Sequence, residues 1–402
     1  MTGEGTPLPL QGVRVLDLSN LLAGPMSTMY LGDFGADVIK AEHPQRGDEL
    51  RNWGRSREDV ALFFKMTNRN KRMITLDLKA PQGQDLCRRL VEQVDVVVEN
   101  YRPGTLERWG LGYEDLRSVN AGLIMARVTG FGQTGPYSSQ PGFGTVAEAF
   151  SGYAAITGYA DRPPLLPSFG LADATTAIHA AFGIMVALYH RDVHGGVGQF
   201  LDLALYEGLF TLLGSHVLDY DQLGIVERRQ GSRLPFLAPR NTYQTQDGAW
   251  VAIAGGTPTT WERIVRTLGI EHVLDDPDFT DNRTRLRNVD KLDAEIDAAV
   301  SKLPLDELLS RFADAAAPIG PAYDISQIFG DPHYAARENI VTVEDDELGP
   351  LRMQNVVPRL SATPGRIGHA APKLGAHNRE IYGGLLGCGD DELARLMQDG
   401  VI

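Results

Sequence analysis

Between Val13 and Val128 short β-branched runs alternate with stretches of helical periodicity, and that alternation restricts the possible folds more than any other feature. The runs VRVLDL, DVIKAE, MITLDL, DVVVEN and LIMARV read as strands. Between them AGPMSTMYLGDFGA, PQGQDLCRRLVEQV and YEDLRSVNAG carry apolar residues at helical spacing, with Pro or Gly punctuating their ends. Strands joined by such crossovers pair in parallel, so an α/β doubly wound domain is predicted. Two longer apolar helices follow, around Val146 to Ile156 and Ala174 to Tyr189. GVGQFLDLALYEGLFTLLGSHVL then continues as a strand running into a helix.

A second unit begins where the chain turns polar and Pro-rich at RRQGSRLPFLAP. NTYQTQDGAWVAIAGG reads as a hairpin across Asp247-Gly248, and three helices follow through about Ala316. After AAPIGPAY a linker-like stretch leads to RMQNVVPRL and a final helical pair ending at Ile402. The expected boundaries are 1-206 for the first part of the large domain, 207-229 for a linker and 230-318 for a small α/β domain. A second linker at 319-340 and a C-terminal part at 341-402 complete the chain.

Several classes of function are excluded by charge and composition. The balance of 38 Lys and Arg against 52 Asp and Glu gives a net charge of -14, which repels phosphate backbones, so nucleic acid is not an expected partner. Cys87 and Cys388 lack any CxxC or metal-ligand spacing, so no metal site is expected and a reducing, cytoplasmic setting fits. The start MTGEGTPLPLQG has no basic or apolar leader character, and no apolar run is read as reaching the roughly 20 residues that span a bilayer. No membrane partner is expected.

The motifs divide into strong and weak. Gly130 to Gly135 spell GxGxxG, but after the fifth strand rather than the first, and Pro136 to Pro141 continue as loop where a dinucleotide fingerprint opens a helix. A glycine-rich turn allowing close backbone approach to a ligand or a neighbouring loop is the competing reading. His190 and His194 stand four apart but run into Gly195-Gly196, which fits a solvated helix end better than a metal site. GxSxG, GxxxxGK[ST] and HExxH are absent from the sequence. Asp173, in PSFGLADATTAIHAAFG, falls where a loop hands over to a long apolar helix. It reads either as a helix N-cap or as a carboxylate nucleophile. Gly255-Gly256, after the apolar WVAIA, reads as a strand-end turn or as a mobile lid.

Taken together, LQGVRVLDLSNLLAGP, LGDFGADVIKAEHPQRGDELRNWG, VENYRPGTLERWGLGYEDL, VTGFGQTGPYSSQPGF, FGLADATT, GQFLDLALYE, APRNTYQTQDGAWVAIAGG and APKLGAHNREI resemble, in order, the family III CoA-transferases. That family includes formyl-CoA transferase, carnitine CoA-transferases and α-methylacyl-CoA racemase. The resemblance implies a Rossmann-like large domain built from both chain ends, an inserted smaller α/β domain and an interlocked homodimer. It implies acyl-CoA:carboxylate CoA-transfer, with succinyl-CoA as one donor, and a racemase as the alternative. Acyl-CoA and a carboxylic acid are the expected partners, with coenzyme A as substrate and no permanently bound cofactor.

Residue by residue, the resemblance places the nucleophile at Asp173 and the start of the glycine lid at Gly255 and Gly256. It places CoA contacts at Leu76, Lys79, Asn100, Tyr101, Arg102 and Arg108. In the substrate pocket Leu22 and Phe63 replace a Gln and a Tyr of formyl-CoA transferase, Trp53 is retained, and Phe143 stands where the racemases carry a histidine. Loss of those polar groups favours a larger or more apolar acyl group than formate, and Phe143 cannot carry the proton that racemisation needs. Arg240 and Arg233 are each read either as a solvated surface charge or as a partner for a substrate's distal carboxylate, and Arg240 is the one assigned to the pocket.

Overall fold

The computed structural model describes residues 7–402. Six parallel strands form the main sheet: β1 (Arg14–Asp17), β2 (Asp37–Glu42), β3 (Lys71–Thr75), β4 (Val96–Glu99), β5 (Ile124–Thr129) and β6 (Phe200–Ala204). Their order is β3-β2-β1-β4-β5-β6. This is the Rossmann order, and its direction reverses between β1 and β4. Val15 pairs with Val38 on one side and Val96 on the other. At that reversal the connections that follow the two strands lead to opposite sides of the sheet order, the place where ligands bind at the carboxyl edge of such sheets.

All five strands expected between Val13 and Val128 form. Their buried Val, Leu and Ile side chains are covered on both faces, which is what near-continuous apolar strands require. On one face the helix Pro81–Val91 buries Leu86, Cys87 and Leu90, with its Pro in the first turn, where no N–H is needed. The C-terminal segment packs into the same cluster through Ile381, Tyr382, Leu393, Leu396 and Ile402. Tyr382 donates its hydroxyl proton to the Thr75 carbonyl at 2.7 Å. The large unit is thereby built from both ends of the chain.

By compactness the chain divides into two units. The larger comprises the described part of Met1–Tyr153 with Leu166–Leu218 and Tyr334–Ile402, and the smaller comprises Ala154–Leu165 with Asp219–His333. Residues 154–165, placed by sequence in the large domain, join the smaller unit. Gly158 bridges to Gly231, and Arg229 donates to the carbonyls of Tyr159 and Arg162. The smaller unit has a three-stranded antiparallel sheet of β7 (Arg240–Gln244), β8 (Trp250–Ala254) and β9 (Ile319–Pro321), with β8 central. The expected turn holds Gly248 at φ +85°. Tyr243, Val251 and Ile253 bury one sheet face against Trp261, Ile264 and Phe312. Arg240, Thr242, Ala252 and Ala254 alternate onto the other face.

Three expectations about helices are corrected. The three expected after the small-unit hairpin are four, Pro258–Leu268, Asn282–Arg287, Val289–Val300 and Leu305–Asp314. The single helix read over Val146 to Ile156 is two, Gly144–Phe150 and Tyr153–Ile156, because Gly152 turns the chain at φ +94°. An apolar helix long enough to cross a bilayer does exist by length and composition, namely Leu171–His194 with 24 residues. Its buried face of Ala172, Ala177, Ala180, Ile184 and Ala187 packs within the large unit. Ile178, Phe182, Val186, Tyr189 and Val193 recur at helical spacing on the same helix, each more than half exposed.

Candidate active site

The β1 and β4 carboxyl ends run into Asn20-Leu21 and Asn100-Tyr101-Arg102, and these residues line one cavity of about 300 Å³ at the sheet reversal. The two segments are tied together side chain to backbone. Asn100 Oδ1 accepts from the Asn20 N–H at 2.8 Å, and Asn100 Nδ2 donates to the Asn20 carbonyl at 2.7 Å. Asp173 and Phe143 line the far side of this cavity. They also line a second cavity of about 630 Å³, together with Leu22, Trp53, Val146 and Phe169. Asp173 therefore lies where two cavities of the large unit meet.

A third cavity of about 280 Å³ shares Asn20, Leu21 and Tyr101 with the first and is lined also by Leu76, Lys79, His43 and Arg46. The three form a run of shared linings through the large unit. Five of the six residues expected to contact CoA fall along it. Arg108, the sixth, lies outside these linings and donates to Thr105 Oγ1 at 3.0 Å. His43 and Arg46 lie in the stretch LGDFGADVIKAEHPQRGDELRNWG but were not singled out there as site residues.

Asp173 is not the helix cap. It is the third residue of Leu171–His194, and the cap position is Gly170. Glu148 satisfies the helix terminus instead: its Oε1 accepts from the N–H groups of Leu171 at 3.0 Å and Ala172 at 3.3 Å. The Asp173 carboxylate therefore takes no part in capping the helix. Burial raises its pKa from the usual 3.8 to about 6, the nearby Glu148 charge adds to the rise, and a hydrogen bond from its own N–H opposes it. Two glycines make room for it. A β-carbon on Gly144 would sit 2.0 Å from Asp173 Oδ2, and one on Gly170 3.2 Å away. The sequence signal for Glu148 was a lone carboxylate in the apolar run GTVAEAF.

The GxGxxG turn has a local purpose. A β-carbon on Gly130 would lie 2.6 Å from the Gly142 α-carbon, so the loop folds back on itself with backbone against backbone. Phe131 packs edge-on against Tyr137 and Phe150, which holds Ser138, Gln140 and Pro141 at the first cavity.

Of the expected pocket residues, Leu22, Trp53 and Phe143 line the second cavity, whereas Phe63 packs with Leu22, Leu50 and Phe64 in a core cluster outside the linings. Arg233 is committed elsewhere, paired with Asp290 at 2.7 Å and Asp293 at 2.6 Å. Arg240 donates to the Ser232 carbonyl at 2.5 Å, and among the described residues no carboxylate pairs with it. It lines a cavity of about 530 Å³ on the open face of the smaller unit's sheet, with Ser232 and Thr242. Arg240 pairs in register with Ala254, next to Gly255 and Gly256. Those two glycines are closely packed: β-carbons there would meet Ile264 at 2.3 Å and Leu237 at 1.8 Å.

Comparison with known proteins shows the family. Residues 10–378 match the model of CoA-transferase family III. The chain is 45% identical over 403 residues to succinyl-CoA–D-citramalate CoA-transferase of Chloroflexus aurantiacus, with 100% of each covered. It is 40% identical over 407 residues to the succinyl-CoA–L-malate CoA-transferase beta subunit of the same organism, again with 100% of each covered. Among solved structures, a CaiB/BaiF family protein from Brucella suis superposes with TM-score 0.83 at 33% identity. That match covers 94% of this chain and 100% of the other.

Proposed function

This chain belongs to CoA-transferase family III, and from that premise we propose that it passes CoA from succinyl-CoA to a hydroxydicarboxylic acid through Asp173. The observation that carries the reading is the position of Asp173 at the meeting of two cavities, one continuing towards Tyr101, Leu76 and Lys79 and the other apolar. The Asp173 carboxylate attacks the thioester carbonyl, giving a mixed anhydride and CoA thiolate. The thiolate attacks the aspartyl carbonyl, leaving aspartyl-CoA thioester and free succinate. The acceptor carboxylate then displaces CoA to form a second anhydride, and the thiolate returns to the acceptor's acyl carbon, restoring Asp173. Every bond is exchanged between carboxylate and thiolate, so no net proton transfer is needed. A pKa near 6 suits the role: the group is ionised at neutral pH yet poorly solvated, hence more nucleophilic than an exposed carboxylate.

In this reading Leu76, Lys79, Asn100, Tyr101, Arg102 and Arg108 hold CoA, and Gly255 and Gly256 cover the intermediate. Leu22, Trp53 and Phe143 bound the acyl chain. The second cavity is lined by no Lys or Arg; Arg240, with no carboxylate partner among the described residues, is the cation assigned to a substrate's distal carboxylate. The names of the two similar proteins supply the donor and the acceptor class. Racemisation is disfavoured because no histidine lines either cavity at Asp173. The enzyme works as a homodimer in the cytoplasm, interlocked as the family resemblance implies. The apolar stripe from Ile178 to Val193 supports a covering partner copy.

The test is incubation with succinyl-CoA and a panel of mono- and dicarboxylic acids, with mass detection of the CoA esters. Esters of 2-hydroxydicarboxylates support the reading. Failure to esterify any acid, or racemisation of a branched acyl-CoA, refutes it.

A further inference from the structure

Leu21 lines each of the three connected cavities described above, and it does so in a conformation that leucine avoids: its φ is +67°. The turn Ser19–Leu22 is held there by buried charge. Asp48 Oδ1 accepts from the Leu21 N–H at 3.0 Å, while Asp48 Oδ2 lies 2.9 Å from Lys40 Nζ, both side chains fully buried. Lys40 in turn donates to the Ser19 carbonyl at 2.7 Å, and the Ser19 N–H donates to Asp17 at 3.0 Å. Asp17 is itself paired with buried Lys71 at 2.9 Å.

Burying an ion pair costs desolvation that its attraction seldom repays, and apolar side chains of similar volume fill such a space as well or better. The attraction between Lys40 and Asp48 therefore gives little net stability by itself, although Asp48 Oδ1 also caps the short helix Glu49–Asn52 by accepting from the Leu50 N–H at 2.9 Å. What the pair does supply is two directed contacts to the backbone of a strained turn. We propose that Lys40 and Asp48 are positioning residues for CoA transfer, clamping the Ser19–Leu22 backbone so that Leu21 divides the CoA-binding run from the acyl cavity beside Asp173. The proposal rests on the CoA-transfer reading for its kinetic consequence, but its effect on CoA binding does not depend on which reaction follows.

The test uses the double variant Lys40→Met with Asp48→Leu in the full-length protein, alongside Asp48→Asn. The apolar pair is expected to fold with an unchanged or higher melting temperature. Its Leu21 N–H loses its acceptor, and the turn relaxes. We expect CoA affinity by calorimetry to fall about tenfold. Turnover with succinyl-CoA should fall about 100-fold, the scale of an ångström-level misplacement at a reacting centre. Selectivity between short and long donor acyl groups should flatten, a change that a purely structural role would not produce. Asp48→Asn keeps an oxygen for Leu21 and should lose less of each. A folded double variant with CoA affinity and turnover within twofold of the parent overturns the proposal. So does a drop in melting temperature with both retained. Absence of transfer in the parent protein would refute the reaction assigned above, and the CoA titration would still decide the clamp.

Discussion

Replacing Asp173 by Asn should make the protein more stable at pH 8 while abolishing its activity. The Asp173 carboxyl is raised from 3.8 to about 6 in the folded state. A folded-state pKa above the unfolded one means that the native protein binds the extra proton between those two values. The stabilisation from that proton is therefore complete below pH 3.8 and is lost as pH rises through 6. Roughly two pH units at about 1.4 kcal/mol each put the cost of ionised Asp173 at about 3 kcal/mol. Asn carries no charge and escapes that cost. The raised pKa already includes whatever favourable interaction the charge has with the helix terminus, so nothing is subtracted for it. The net gain for Asp173→Asn is about 3 kcal/mol at pH 8, shrinking towards zero near pH 4. Urea titrations of both proteins across this range measure it. A variant less stable than the parent at pH 8 would refute the reasoning, because it would mean that Asp173 is held by interactions favouring its charge.

Gly144, Glu148 and Arg240 give three more expectations. Gly144→Ala places a methyl group on Asp173 Oδ2 and should reduce turnover at least about 100-fold while the melting temperature changes little, since the nearby carboxylate can swing away. Glu148→Gln retains an oxygen for the helix N–H groups but removes a negative charge beside Asp173, so the acidic limb of the pH–rate profile should move to lower pH. A limb that stays in place would exclude Glu148 as a cause. Arg240→Gln should lower kcat/KM for dicarboxylic acceptors by about 2 kcal/mol, near 30-fold, and leave monocarboxylic acceptors unchanged. Equal losses for both acceptor classes would remove Arg240 from substrate recognition.

The periodicity of the first 128 residues was enough to read all five early strands, because strands buried on both faces carry a strong apolar signal. The packing of the last helices onto that sheet was not legible locally. Ile381, Leu393 and Leu396 show a helical face but nothing that names its partner some 300 residues earlier. Asp173 could be singled out from its place at a helix start, but not separated from a cap. The deciding residue, Glu148, caps the helix at Leu171 from 23 positions away. Gly144 and Gly170 matter for the volume that they leave empty, and an empty volume has no sequence pattern. The charges behind Leu21 were hidden for a related reason: Lys40 and Asp48 look like surface residues until the sheet buries them.

The central claim is that Asp173 becomes covalently attached during transfer. Incubating the protein with succinyl-CoA and no acceptor, then quenching with hydroxylamine and digesting, tests it by the mass of the peptide containing Asp173. An aspartyl-CoA thioester is close in energy to the donor thioester, so an appreciable fraction of the protein should carry the adduct, and the trapped peptide should show the hydroxamate at Asp173. An unmodified Asp173 peptide, under conditions where the same preparation transfers CoA once acceptor is added, would contradict the covalent relay and leave direct attack by the acceptor in its place.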